Sequence, residues 1–244
     1  MTVCAAALNA ASPLLHWPYL LVPVIGSLSL LLISAGLKDP FALQVSIIVF
    51  LITWNGLFWN PHWPFPLLVP LALYFLAVLA TGGLRRNALW LRAGRPDRLT
   101  WVFSAFIVLV SSAGLISWFF LFRPDLTKWL RAVPDFGPVL LVPTGIGFAV
   151  LNAALEESVY RGIVMQGLDA AFGAGWLSVI LQAVPFGAMH IHGIPNGGAG
   201  VVMAVIYGLM LGFIRRRSRG MLAPFVTHVF ADMVIFFILV AWAR

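Results

Sequence analysis

The sequence predicts an all-α fold, a polytopic integral membrane helical bundle of about eight transmembrane helices. Composition is the first reason, because 61% of the 244 residues are hydrophobic and 9% are charged, against about 25% charged residues in soluble domains. The second reason is that the apolar residues form long runs, most of them close to the ~20 residues that a helix needs to cross a bilayer. The single cysteine, Cys4, excludes an intramolecular disulfide framework.

Hydropathy and helix-breaking residues separate eight apolar segments along the chain. The third segment is short and has Pro64, Pro66 and Pro70 around its start, so we expect it to be tilted, broken or re-entrant. A count of seven spans is the alternative. The segments are 14–36, 41–59, 66–81, 100–122, 140–168, 175–192, 199–214 and 221–242.

Arginines are concentrated in two loops, one between the third and fourth segments and one between the seventh and eighth. Short loops rich in Lys and Arg stay in the cytoplasm, and four segments separate the two loops, so we expect both in the cytoplasm and both termini on the opposite side. The net charge of +7 then reflects topology or attraction to anionic lipid, and we expect no binding to nucleic acid. The arginines are Arg85, Arg86, Arg92, Arg95 and Arg98, and Arg215, Arg216, Arg217 and Arg219.

Ionisable residues inside the fifth apolar segment indicate a functional site. A charge at the bilayer centre costs roughly 2.5–3.5 kcal/mol on insertion scales, so it marks function by default. Glu157 and Arg161 are four residues apart, a spacing at which the guanidinium neutralises the carboxylate within one helix. Glu156 points about 100° away on such a helix and is free to meet another helix as a general base. The alternative is that both glutamates are structural and hold helices together through Arg161.

Two histidines lie near the end of the sixth segment. His190 follows Phe186 by one helical turn, in a stretch that glycine and proline make irregular, as is tolerated at membrane depth where backbone lines a cavity. A neutral imidazole beside a carboxylate can polarise a water or ligate a metal. His192 points away from His190, because residues two apart do not share a helix face, and we rank it lower. A helix-end residue at the membrane interface is the alternative for either histidine.

His228 and Asp232 lie one turn apart on one face of the eighth segment. Asp232 can fix the tautomer of His228 and leave the other ring nitrogen to hydrogen-bond a substrate or an oxyanion. The alternative is a buried ion pair that fixes helix packing. Glu156, His228 and Asp232 lie near the middle of their segments, whereas His190 is roughly 9 Å beyond its midpoint at 1.5 Å per residue. Tilt or a broken helix must close that gap.

The three runs, Glu-Glu-x-x-x-Arg, Phe-x-x-x-His and His-x-x-x-Asp, resemble the motifs of the CPBP family of intramembrane endopeptidases, also called the ABI or CAAX protease family. The resemblance extends from Glu156 to Asp232 in order and in spacing. It implies a CPBP-like intramembrane protease core at residues 100–244. Residues 1–99 form N-terminal transmembrane helices that the resemblance does not cover.

The resemblance implies hydrolysis by an activated water. Its catalytic residues are Glu156 and His190 for the water and His228 and Asp232 for the oxyanion, with Glu157 and Arg161 in support. The family was long described as metalloproteases and is now more often viewed as glutamic-type, so no cofactor is required; if zinc binds, the ligands are Glu156, His190 and His228. Many members carry asparagine where this chain has Asp232. An ionised carboxylate cannot donate a hydrogen bond, so we expect Asp232 to be protonated or, as we prefer, to act by orienting His228.

We therefore expect an intramembrane peptidase whose partners are the lipid bilayer and a membrane-anchored or C-terminal-signal-bearing protein or peptide. Members resemble one another at the motifs but act on prenylated CAAX proteins, bacterial peptides or C-terminal sorting signals. The small size of the chain favours a bacterial client and a bacterial inner membrane. The alternatives are a CAAX prenyl-protein endopeptidase, a non-catalytic immunity or scaffold protein, and a transporter, whose sites also combine broken helices with intramembrane charges. The absence of matching sequence halves argues against transport.

Overall fold

The computed structural model describes residues 17–59, 62–131, 133 and 135–243, and every regular element in these ranges is helical. The all-α prediction is therefore confirmed for this part of the chain, while Cys4 and positions 14–16 of the first predicted segment lie outside it. The helices are α1 (Trp17–Leu37), α2 (Pro40–Phe58), α3 (Phe65–Ala80), α4 (Gly82–Asn87), α5 (Arg98–Phe122), α6 (Thr127–Leu130), α7 (Pro138–Glu157), α8 (Met165–Phe172), α9 (Trp176–Met189), α10 (Gly197–Ser218) and α11 (Leu222–Ile238). A π-helical segment, Ser158–Val164, joins α7 to α8, a 3₁₀ turn, His190–His192, follows α9, and a second π-helical segment, Leu239–Ala243, extends α11.

The protein is a multi-pass integral membrane protein. Many of its large apolar side chains face outward as lipid contact requires, with Leu121 78% and Val139 85% exposed. Eight helical stretches coincide with the eight predicted segments, but the count of eight crossings is not confirmed, because five of the described stretches are long and apolar enough to span a membrane. These five are Pro40–Phe58, Arg98–Phe122, Val139–Phe172, Gly197–Ser218 and Leu222–Trp242, and two shorter apolar helices are Leu21–Leu37 and Phe65–Ala80.

The third predicted segment is a continuous helix of 16 residues, so the expectation of a broken segment is wrong, while tilt and re-entry stay predictions. Pro70 lies inside α3 without ending it. A proline has no N–H group and leaves the carbonyl four residues earlier without its donor. That carbonyl belongs to Pro66, and Asn55 Nδ2 of α2 donates to it at 3.3 Å and to Phe65 O at 3.1 Å. The amide of Asn55 therefore replaces the hydrogen bond that Pro70 removes.

Aspartates at the N-caps set where two spanning helices begin. Asp39 Oδ1 accepts hydrogen bonds from Phe41 N at 2.9 Å and Ala42 N at 3.2 Å, and Asp97 Oδ1 accepts one from Thr100 N at 2.7 Å. Such caps satisfy N–H groups that have no acceptor inside the helix. The hydrogen bonds from Thr100 also hold the pKa of Asp97 below its ordinary value.

The N-terminal helices share a hydrophobic core with the helices that follow them. Ile48 of α2, Tyr74 of α3 and Ile163 of the first π-helical segment are all 0% exposed and belong to one cluster. Tyr74 donates to Gln44 Oε1 at 2.7 Å and accepts from Trp90 Nε1 at 3.2 Å, so these buried polar groups are paired as burial requires. Helices α2 and α3 thus pack directly against the region that carries the predicted motifs.

Small residues bring α9 and α10 close together. A Cβ atom added at Gly208 would lie 3.1 Å from Ala183, and one added at Gly187 would lie 2.9 Å from Val201 O. Close backbone approach through glycine and alanine is a common way of packing helices in membranes. This packing fixes the C-terminal end of α9, and with it His190, against α10.

Candidate active site

Glu157 lies at the centre of a buried charge cluster. It ends α7, is 1% exposed, and its Oε1 accepts hydrogen bonds from Arg161 Nη1 at 2.9 Å and from His228 Nδ1 at 2.8 Å. The predicted pairing of Glu157 with Arg161 is confirmed. The contact with His228 adds a polar link between α7 and α11.

Arg161 is fully buried in the π-helical segment that follows α7. Its guanidinium carbon lies 4.1 Å from the centroid of the Phe186 ring, a distance at which a cation is attracted to the face of the ring. Within the described residues its Nε and Nη2 have no hydrogen-bond partner. The fifth predicted segment, expected to be helical, is π-helical from Ser158 to Val164, a rare conformation that is frequent at functional sites.

Glu156 faces a large cavity, whereas Glu157 does not. Glu156 Oε2 lies 3.6 Å from His228 Nε2 and has no hydrogen-bond partner among the residues that the structure describes. Its other oxygen, Oε1, accepts a hydrogen bond from Asn152 Nδ2 at 3.3 Å. Each glutamate has one oxygen, Oε2, without a hydrogen-bond partner in the described residues. The two differ because Glu157 Oε1 is held by Arg161 and His228, whereas Glu156 lines the cavity.

Asn152 connects two carboxylates that line the cavity. Its Nδ2 donates to Glu156 Oε1 at 3.3 Å and to Asp232 Oδ2 at 3.1 Å, and its Oδ1 accepts from Trp63 Nε1 at 2.9 Å. Sequence reasoning assigned no role to Asn152 or Trp63. The available signal for Asn152 was its position four residues before Glu156, on the same helix face. Trp63 precedes α3 and is remote in sequence, so no local pattern points to it.

His190 lies where α9 gives way to the 3₁₀ turn. Its Nδ1 is 2.9 Å from Phe186 O, and because a carbonyl oxygen only accepts, Nδ1 carries the hydrogen and Nε2 is an acceptor in the neutral ring. His190 and His192 both line the cavity that Glu156 lines. The gap in depth expected from the sequence does not separate His190 from Glu156, His228 and Asp232, because all four line the same cavity.

Asp232 is buried one turn after His228, and the two side chains share a helix face as predicted. Its Oδ1 lies 3.7 Å from His228 Nε2, which is too long for a hydrogen bond. The expectation that Asp232 orients His228 is therefore corrected: Glu157 forms the hydrogen bond to the ring, because packing of α7 against α11 brings Glu157 to Nδ1. Asp232 instead accepts a hydrogen bond from Asn152.

The four predicted catalytic residues line one cavity with a volume of about 1510 Å³. Most of its wall is apolar, with Leu115, Phe148 and Tyr207 among the lining side chains. An apolar cavity with a few convergent polar groups is typical of a ligand site. The polar groups that line it include Asn152, Glu156, His190, His192, His228 and Asp232.

The zinc alternative requires Glu156, His190 and His228 to converge on one ion. In the described ranges no group of three His, Cys, Asp or Glu side chains is arranged to hold a metal. Nδ1 of His228 is engaged by Glu157 and Nδ1 of His190 by Phe186 O, so each ring offers Nε2, the usual pattern of a metal-bound histidine. The placement of the three side chains, rather than the chemistry of the two rings, does not fit a zinc site, and no catalytic step is assigned to a metal.

The fold and the site define a multi-pass membrane protein with carboxylates and imidazoles around one cavity. The protein family described as Rce1-like, Type II CAAX prenyl endopeptidase Rce1-like, matches residues 138–234. This range contains all four predicted catalytic residues, and the match supports the CPBP, or CAAX protease, family that the motifs predicted, which is a family of proteases. Comparison with curated proteins found no match, and comparison with solved structures found none.

Proposed function

We propose that the protein is a glutamic-type intramembrane endopeptidase that hydrolyses a peptide bond in or next to the membrane. The observation that carries this proposal is the position of Glu156, whose Oε2 lacks a hydrogen-bond partner in the described chain and lies 3.6 Å from His228 Nε2. Glu156, His190 and His228 also line one cavity. A carboxylate and two imidazoles that face the same space supply a general base and groups that hold or donate protons.

Glu156 is the proposed general base. It takes a proton from a water while the water oxygen bonds to the scissile carbonyl carbon and the carbonyl electron pair moves onto oxygen. Nε2 of neutral His190 accepts the second hydrogen of that water and so orients it. The proton on Glu156 then passes to the leaving nitrogen as the C–N bond breaks. General acid–base catalysis of this kind contributes about 10²–10⁴-fold to rate.

His228 is the proposed oxyanion donor. Its Nδ1 donates to Glu157, whose oxygen Arg161 also contacts, and this leaves Nε2 of the protonated ring to donate to the oxyanion. Asp232 Oδ1 is 3.7 Å from the same nitrogen. Three carboxylates accompany one guanidinium in this cluster, so a proton on His228 or on Asp232 offsets excess negative charge that would be costly to bury. Glu157 and Arg161 are thus positioning residues.

The proposed client is a membrane-anchored or C-terminal-signal-bearing protein or peptide, and the proposed location is a bacterial inner membrane. The mostly apolar wall of the cavity suits an apolar client segment that moves from the bilayer into the cavity. A prenylated C-terminal tail is the second candidate, because the matching family is described by that activity and an isoprenoid chain also suits an apolar wall.

The test compares cells that express the wild type, Glu156→Gln or Asp125→Asn in place of the native chain. Asp125 is an exposed carboxylate that lines the cavity, so its replacement is a matched chemical control. Quantitative mass spectrometry of membrane and secreted fractions measures C-terminal and juxtamembrane peptides. We expect trimmed peptides with the wild type and Asp125→Asn, and none with Glu156→Gln at equal protein abundance.

The trimmed sequences also distinguish the two client classes, since prenylated tails and sorting signals leave different C-termini. If the fractions are identical and Glu156→Gln rescues a deletion phenotype, the protein is a non-catalytic member of the family. If cleavage persists in Glu156→Gln without a change in rate, another residue is the base.

A further inference from the structure

A second cleft is lined by arginines and lies apart from the catalytic cavity. It has a volume of about 590 Å³ and is lined by Arg92, Gly94, Arg95, Arg217 and Arg219. The first three belong to the loop between α4 and α5, and the other two to the C-terminal end of α10 and the turn after it. None of the five lines the catalytic cavity.

The two segments that form the cleft are joined through their backbones. Arg95 N donates to Ser218 O at 2.8 Å. Gly94 has a φ of +84°, and a Cβ atom there would lie 2.5 Å from Gly220 Cα, so only glycine permits this close approach. The two walls of the cleft are therefore held at a fixed distance from each other, because their backbones are in direct contact.

Trp90 anchors the loop on its other side. It is 2% exposed, and its backbone N donates to Gln166 Oε1 of α8 at 2.7 Å. Its ring packs so closely on Gly162 that a Cβ atom there would lie 2.6 Å from it. Because α8 and α10 both hold this loop, the arginines are presented on a preorganised backbone, which lowers the entropy lost on binding a ligand.

The positive charge of the cleft is only partly balanced. Of its four arginines, Arg217 alone has a carboxylate partner among the described residues: Asp97, at 2.8 Å with a side chain that is 60% exposed. Arg92, Arg95 and Arg219 form no ion pair or side-chain hydrogen bond with the described part of the chain. Like charges held around one space repel, so an anion that contacts several of them is favoured there.

We propose that this cleft binds a phosphate group, either that of an anionic phospholipid headgroup or free phosphate. The planar fork of arginine matches phosphate oxygens in bidentate fashion. Leu89 and Leu91, on the same loop, are 55% and 57% exposed and offer apolar contact for acyl chains. The loops that form the cleft are also those expected on the cytoplasmic side, where anionic lipids concentrate.

The test uses the full chain, purified in detergent and stripped of lipid. Phosphatidylglycerol or phosphatidylcholine with identical acyl chains is titrated, and bound lipid is counted by native mass spectrometry. We expect the wild type to bind phosphatidylglycerol on the order of tenfold more tightly than phosphatidylcholine, and Arg92→Gln/Arg95→Gln to lose that preference. Neither side chain forms a hydrogen bond or an ion pair with the described residues, so the fold should be retained. Arg219→Gln, from the opposite wall, provides a second variant.

The matched control is Arg85→Gln/Arg86→Gln, which removes the same charge from α4 outside the cleft and should bind like the wild type. Millimolar inorganic phosphate is then added to the lipid complex. Displacement by phosphate supports free phosphate as a ligand of the cleft, and retention of lipid supports the phospholipid headgroup. The proposal is overturned if both double variants lose lipid equally, since general surface charge would then explain binding, or if the wild type binds neither lipid nor phosphate.

Discussion

Glu157 Oε1 and His228 Nδ1 are joined by a hydrogen bond of 2.8 Å across the interface of α7 and α11. Arg161 donates to the same oxygen, so Nδ1 of the imidazole is bound to a carboxylate whose charge Arg161 neutralises. Its Nε2 lies 3.6 Å from Glu156 and 3.7 Å from Asp232. Glu157 therefore holds the ring, while the adjacent Glu156 lines the cavity.

Glu157→Gln should lower the thermal stability of the protein, whereas Glu156→Gln should leave it nearly unchanged. Removing the Glu157 charge leaves Arg161 buried without its ion-pair partner, and breaking a buried pair costs roughly 3–5 kcal/mol. Thermal unfolding of the detergent-solubilised variants measures the difference. The double variant Glu157→Gln/Arg161→Met removes both charges and should recover part of the lost stability. Additive losses would show that the two residues are not coupled.

Asn152→Ala should reduce kcat by about 10–100-fold, because small misplacement of catalytic groups has effects of this size. It removes the donor that Glu156 and Asp232 share, so the pH dependence of kcat/KM should also change. If the role of Asn152 were purely structural, the pH dependence would stay the same. Trp63→Phe removes only the indole donor to Asn152 and should give a smaller change of the same kind. Trp54→Phe, at an exposed tryptophan of α2, is the control. An unchanged pH profile in Asn152→Ala would argue against a positioning role.

Asp232→Asn should retain activity within about tenfold of the wild type, since its amide can donate to an oxyanion. Its carbonyl oxygen can still accept from Asn152. Asp232→Leu keeps neither function and should be inactive. Peptide cleavage by the purified variants, with folding checked by gel filtration, measures both. If Asp232→Asn is inactive while Asp232→Glu is partly active, a carboxylate is required at this position.

Chelators should leave the rate of the purified enzyme unchanged, because the proposed base and donors need no ion. Elemental analysis should find zinc well below one atom per chain, the stoichiometry of a zinc enzyme site. If activity is lost with chelator and returns with zinc, the proposal that Glu156 is the general base is wrong, and a metal-bound water is the nucleophile. The purified Asp125→Asn variant, analysed in the same way, serves as the control for the background level of metal.

Sequence patterns predicted the helices well because hydropathy determines where a chain can lie in a bilayer. Continuity of α3 was not predicted, since the amide of Asn55 that satisfies Pro66 O comes from another helix. The pairing of Glu157 with Arg161 was predictable because both lie on one helix with i,i+4 spacing. Contacts within a helix follow from its periodicity.

Contacts between helices could not be deduced in this way. The orienting partner of His228 was assigned to Asp232 because the two share a helix face, yet the partner is Glu157, which is remote in sequence. Trp63 reaches Asn152 from the N-terminal region, and no periodicity links such positions. The catalytic roles of Glu156, His190, His228 and Asp232 remain predictions that the variants above test.

The shared core of α2, α3 and the π-helical segment bears on any attempt to make a smaller enzyme. A fragment that began at the start of the family match, residue 138, would uncover Ile163, which is 0% exposed in the intact chain, and would lack the indole of Trp63. We expect such a fragment to aggregate or to lose its site geometry. A minimal active protein should therefore include the whole chain from Pro40 onward. A chimera between relatives should likewise take this whole region from a single parent.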